Sequence, residues 1–175
     1  MLTFSAQPTA TQATLGVYFK RLGNRYQVFL NGQQIAETGD LTDTSFGYIN
    51  TPALIPIPIG LLRDHAPNEL RVVLAGDVGR FAGMSVAAVG DFDVLRQQYE
   101  WRYFFQQYVP YSLMFACLLI GFLALLFAAY NRNRHMLVFG VGSSVWALAT
   151  AFELWVRIPV HYKWWLLVYD VSYAV

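Results

Sequence analysis

Between Arg102 and Arg132 the chain carries no charged side chain, and this run constrains the fold more than any other feature. Its centre, residues 109 to 130, reads VPYSLMFACLLIGFLALLFAAY. As an α-helix rising about 1.5 Å per residue, it is long enough to cross the roughly 30 Å hydrocarbon core of a bilayer. A helix laid on a soluble core keeps a polar stripe for water, and none can be drawn here. The sequence therefore predicts a soluble β-rich region over 1–90, a juxtamembrane helix or linker over 91–108, and a membrane region over 109–175.

Before Arg102, acids and bases are interspersed; after it, charge nearly disappears, so the net charge of +1 averages two unlike halves. No basic stripe marks a nucleic-acid partner. Cys117 is the one cysteine, which excludes an intrachain disulfide or a cysteine-based metal site. Trp101, Tyr103, Phe104, Phe105, Tyr108 and Tyr111 cluster where an interfacial aromatic belt precedes a spanning helix. Residues 1–14 have neither the basic nor the apolar region of a secretory signal. Residues 164–175 (WWLLVYDVSYAV) are apolar for roughly half a bilayer crossing. We expect an excerpt of a larger protein.

Short alternating runs separated by turn signals predict all-β structure over 14–90. Residues 15–20 (LGVYFK) and 26–30 (YQVFL) are strand-like. Asn31-Gly32 favours a two-residue hairpin turn, with a return strand over 33–37. Ile55, Ile57 and Ile59 alternate with Pro56 and Pro58, giving an apolar face on a donor-poor backbone, as an edge strand requires. A polar turn through Asp64, Pro67 and Asn68 leads to a buried strand over 70–75. Residues 76–83 read as a loop, and 84–89 as a last strand of small residues.

The order RYQVFLNGQQIAETG, a proline-punctuated strand, then IGLLRDHAPNELRVVLAG resembles the galactose-binding-like jelly-roll domain. The likeness covers residues 14–90, and the turn at Pro67-Asn68-Glu69-Leu70 is its more specific part. It implies a β-sandwich whose opening strands precede this stretch.

Little in these residues points to catalysis. The glycine-rich stretch 76–83 lacks the Lys-Ser or Lys-Thr that would hold phosphate and Mg²⁺. Residues 83–87 faintly resemble a nucleophile elbow but need a strand-to-helix turn and triad partners. His65, His135 and His161 show no ligand spacing. We expect no catalytic residue, no metal and no cofactor. Loops of such jelly rolls often meet carbohydrate, which makes Tyr48, Asp77 and Arg80 candidate ligand contacts; the plainer reading packs Tyr48 and solvates the charged pair.

Asp91 and Asp93 are candidate N-caps for a helix through Leu95, Tyr99 and Arg102. That helix would couple the β-domain to the first span, against the plainer alternative of a flexible tether. Spans are expected over about 109–130 and 136–156, with a third begun over 163–175. Pro110 is placed in the first turn of the first span, where its missing donor costs little. Gly140, Gly142, Ser143, Ser144 and Ala147 give the second span a small-residue face for close packing. The arginines of turn 131–135 favour the cytoplasm for that turn, which puts the β-domain in the periplasm. Glu153 and Asp170 lie within apolar stretches and are candidate intramembrane polar residues.

A β jelly roll followed by RYFFQQYVPYSLMFACLLIGFLALLFAAYNRNRHMLVFGVGSSVWALA resembles the input half of the bacterial seven-transmembrane receptors with diverse intracellular signalling modules. The resemblance implies an inner-membrane, multi-pass sensor. Its output, a histidine kinase or diguanylate cyclase, has no motif in this stretch. The partners considered are the lipid bilayer, a carbohydrate or other small periplasmic ligand, and a second copy as a homodimer. The alternative is a membrane-tethered accessory carbohydrate-binding domain of an envelope enzyme.

Overall fold

The structure, a computed structural model, describes residues 2–5, 14–23, 25–42, 51–63, 66–76, 83–154, 164 and 167, with the side chains of 152–154 excepted. The chain divides into two compact units, Met1–Tyr103 and Phe104–Val175.

In the first unit, β1 (Leu2–Phe4), β2 (Leu15–Leu22), β3 (Tyr26–Leu30), β4 (Gln33–Thr38), β5 (Thr51–Pro56), β6 (Asn68–Leu74) and β7 (Ala87–Asp91) form two antiparallel sheets. One has the order β1-β6-β3-β4, the other β5-β2-β7. Val28, Leu30 and Leu70 from the first sheet and Val17, Phe19, Leu22, Ala53 and Ile55 from the second form one buried core. Strand β2 is buried on both faces, which explains why LGVYFK does not alternate cleanly. Val17 and Phe19 enter the core, whereas Gly16 and Tyr18 lie under the helix α1 (Phe92–Tyr103). A Cβ on Gly16 would come within 3.0 Å of the Phe92 ring, so glycine lets α1 sit down on the strand.

The hairpin stands where turn chemistry puts it. Asn31 and Gly32 have φ of 51° and 89°, the handedness a two-residue hairpin needs. The proline-rich strand is β5, at a sheet edge and bonded only to β2 among the described strands. The buried strand expected over 70–75 is β6, between β1 and β3.

Four details depart from the sequence reading. Strand β1 pairs with β6 and was not foreseen, because three residues carry no readable alternation. Ile59 leaves the apolar face of Ile55 and Ile57: a short 3-10 turn over Ile59–Leu61 leaves it exposed. The last strand is Ala87–Asp91, three residues later than its expected start, while Met84 makes only an isolated bridge to Leu22. The fourth, and the largest in consequence, concerns the helix: its backbone is helical without a break from Phe92 to Asn131. Asp91 is its N-cap, the Oδ1 accepting from the Asp93 N–H at 2.9 Å and the Val94 N–H at 3.3 Å. Asp93 lies within the first turn.

In the second unit a π-helical turn, Phe104–Tyr108, precedes α2 (Val109–Asn131), and α3 is Arg134–Leu154. Among the described residues one helix, Phe92–Asn131, is long and apolar enough to cross a membrane. Pro110 stands in the first turn of α2, as expected, but helical backbone continues before it. It cannot donate to the Gln106 carbonyl, and its ring crowds that turn. The wide turn immediately before it accommodates both effects. The connection between α2 and α3 is tight: Arg132 is left-handed at φ 49°, and the Asn133 Oδ1 caps α3 by accepting from the His135 N–H at 3.0 Å.

Candidate functional site

Of the residues singled out from sequence, Tyr48, Asp77, Arg80 and Asp170 lie outside the described residues. Glu153 stands in the last turn of α3, its side chain likewise outside the description. Residues 157–163 and most of the third span expected over 163–175 also fall there, as does most of the glycine-rich stretch. Among the described residues no group of His, Cys, Asp and Glu could hold a metal ion.

What the described residues do assemble begins with an amide lock. Asn68 is fully buried at the start of β6. Its Oδ1 accepts from the Arg63 N–H at 2.9 Å and from the Asn31 Nδ2 at 2.8 Å, and its Nδ2 donates to the Arg63 carbonyl at 3.3 Å. Asn31 in turn donates from Nδ2 to the Leu61 carbonyl at 2.6 Å and accepts the Glu69 N–H on Oδ1 at 2.9 Å. Two asparagines thus join the hairpin turn, the 3-10 turn and β6. The motif that carried the jelly-roll resemblance is a structural tie, with its polar atoms occupied by the fold itself.

The second assembly is the seat of α1. The Arg102 Nε donates to the Lys20 carbonyl at 3.1 Å. Burial raises the Tyr18 phenol above its usual range, and the Arg102 guanidinium offsets part of that rise. Burial also raises the Tyr99 phenol, helped by the neighbouring hydroxyls of Tyr103 and Tyr26. Both phenols stay neutral at physiological pH, so this seat is apolar packing fixed at one end by a cation.

The third is the π turn. Phe104 meets Phe105 edge to face at 5.5 Å and Tyr108 at 6.0 Å, and the Ser112 hydroxyl donates to the Tyr108 carbonyl at 2.9 Å. Gln106 carries a buried side-chain oxygen with no hydrogen-bond partner among the described residues. A π turn has no periodic signature, and Pro110 was the only sequence signal that could have located it.

The fourth is the α2–α3 hairpin. A Cβ on Gly121 would lie 3.1 Å from the Gly140 carbonyl, and one on Gly140 would lie 3.0 Å from the Gly121 carbonyl and 2.7 Å from Leu125. Ala124, Ala128 and Ala147 are buried, so the two helices meet through small residues, as the small-residue face of α3 predicted. Gly142 is the exception, with open space where its Cβ would be. Most large residues of both helices point outward: Phe115 is 64% exposed and Val138 71%. Gly140→Val should therefore weaken the hairpin by about 1–3 kcal/mol through overpacking. Gly142→Val changes helix propensity equally without the clash. A lower thermal midpoint for the first than for the second, by circular dichroism in detergent, is the expected result.

These features define a two-sheet β domain joined by helical backbone to an apolar helical hairpin. No protein-family model matches the chain, and no curated protein or solved structure matches it.

Proposed function

We propose that this chain is the input portion of a bacterial membrane signalling receptor. The β domain, read as a galactose-binding-like jelly roll in the periplasm, binds a small ligand such as a carbohydrate, or a protein partner. The helices pass a small shift to a cytoplasmic output, a histidine kinase or a diguanylate cyclase. In this reading the stretch catalyses nothing itself and needs no cofactor.

One observation carries the reading: α2 is apolar around its whole circumference, and its large side chains face outward while glycine and alanine face α3. Water penalises that inversion and lipid tails do not. Two further features agree with it. Aromatic side chains crowd the turns before α2, where a membrane interface would lie. Helical backbone leads from β7 to α2. In this account α2 and α3 are the first two of several spans, the turn between them is cytoplasmic, and Glu153 and Asp170 pair within the bundle or sense protons or ligand.

The reading frame beyond Val175 tests this function. Further apolar spans followed by a signalling module are expected. A carbohydrate-processing catalytic domain there would favour an accessory binding domain of an envelope enzyme, and a stop codon directly after Val175 would end the receptor reading.

A further inference from the structure

Among the described strands, the four sheet edges are unequal. An edge strand offers unpaired backbone donors and acceptors to any passing strand, and proteins blunt it with prolines, charges, bulges or brevity. Strand β5 carries Pro52 and Pro56. Strand β4 carries Glu37 and a bulge against β3. Strand β1 has three residues. Strand β7 carries neither proline nor bulge, its one charge is Asp91 at its very end, and its pairing with β2 runs in unbroken register from Ala87 to Asp91. Val86, at its entry, is 90% exposed, and Ala88 and Val89 are exposed as well.

We propose that the β7 edge is a self-association surface, where β7 of a second copy of this chain pairs antiparallel and joins the two three-stranded sheets. Two arguments select a second copy. The first is shape. A two-fold axis perpendicular to the sheet keeps each face, so residues opposite one another must share a face. With Ala88 on the axis, Ala87 faces the partner's Val89 and Val86 faces the partner's Gly90. A bulky exposed side chain thus meets the one residue of the strand that has none, beside Leu95 of α1, which lies 3.9 Å from the place of a Gly90 Cβ.

The second argument is charge. Strand β7 has a basic flank at its start, where the Ser85 N–H donates to the Arg21 carbonyl and the Arg21 N–H to the Ser85 hydroxyl. It ends on Asp91. In the Ala88-centred register Ser85 faces the partner's Asp91, on the same face as Arg21. Each acidic end then lies two strands, roughly 10 Å, from a basic flank, within reach of an arginine side chain. A parallel arrangement would set like charges together. Helix α1 packs chiefly on β2 and β5, with a smaller contact to β7, and among the described strands β7 pairs with β2 alone. This inference rests on the β domain alone and is independent of the membrane reading.

The test uses the whole chain with Cys117→Ala, carrying Ala88→Cys, oxidised in lysate of the expressing cells and resolved on a non-reducing gel. Directly opposed residues on the axis are close enough for a disulfide. A covalent homodimer is expected for Ala88→Cys and not for Gln33→Cys on the β4 edge, and Arg21→Glu should reduce its yield severalfold. Equal yields at the two edges would overturn the proposal. So would a yield indifferent to Arg21→Glu, or an adduct with a different polypeptide in place of the homodimer.

Discussion

Phe19→Ala is expected to destabilise the β domain by about 3–5 kcal/mol, the usual cost of emptying a buried phenylalanine site. Phe19 has no exposed surface, and it lies on the central strand of its sheet between β5 and β7. Its ring packs in the cluster that includes Val28, Leu30 and Leu70 of the opposite sheet. A cavity there removes contacts between the sheets, and strands hydrogen-bonded on both sides cannot slide to refill it. Pulse proteolysis of the intact chain across a urea series should show the midpoint of the β domain falling by more than about 1 M. Val86→Ala, on a side chain exposed to solvent in the single chain, should move it by less than about 0.5 kcal/mol. Equal effects of the two substitutions would contradict the two-sheet core.

Asn68→Ala is expected to cost about 2–4 kcal/mol by a different route. The cavity is small; the loss comes from removing the buried amide that ties these groups together. The Arg63 N–H loses its acceptor, the Arg63 carbonyl its donor, and the Asn31 Nδ2 one of its two partners. Each hydrogen bond lost contributes about 0.5–1.5 kcal/mol. Asn31→Ala damages the same lock and places alanine at a positive φ. The double variant should therefore lose less than the sum of the two, by about 0.5–3 kcal/mol, because the shared hydrogen bond can be lost only once. Strict additivity in the same urea series would show that the two asparagines act separately.

Local chemistry made some of this fold legible and left other parts hidden. Asn31-Gly32 announced its hairpin because the turn needs two positive φ angles and few dipeptides supply them. The prolines around Ile55 and Ile57 announced an edge because a proline has no donor for a second neighbour. Asn68 was conspicuous as part of a motif, yet its role depends on Asn31 and the 3-10 turn, contacts distant in sequence. Strand β1 was invisible, since three residues become a strand only when β6 is there to receive them. Strand β7 was displaced because the small residues 84–89 alternate weakly, and register with β2 decided where pairing begins. The π turn is hidden because Pro110 in the first turn of α2 is equally compatible with a helix that begins there. Proline accommodates equally well one turn after a local widening, and only the backbone distinguishes the two. The candidate site was less legible. Tyr48, Asp77, Arg80 and Asp170 lie outside the described residues, and Glu153 is described only as a position on α3. The arrangement that carries the functional reading, large residues outward and small ones between α2 and α3, could be anticipated from Gly140, Ser143 and Ser144. Its counterpart on α2, Gly121 with Ala124 and Ala128, emerged only when the two helices were seen together.

The most direct test of the central claim is cysteine accessibility in intact cells. On a Cys117→Ala background, one variant carries Gly32→Cys in the β3–β4 turn and another carries Asn133→Cys between α2 and α3. Each is exposed to a membrane-impermeant thiol reagent before and after lysis. The account predicts labelling of the Gly32 variant in intact cells, with the Asn133 variant labelled only after lysis. The opposite pattern would put the β domain in the cytoplasm and contradict an extracytoplasmic input. Equal labelling of both variants before lysis would contradict the membrane crossing itself.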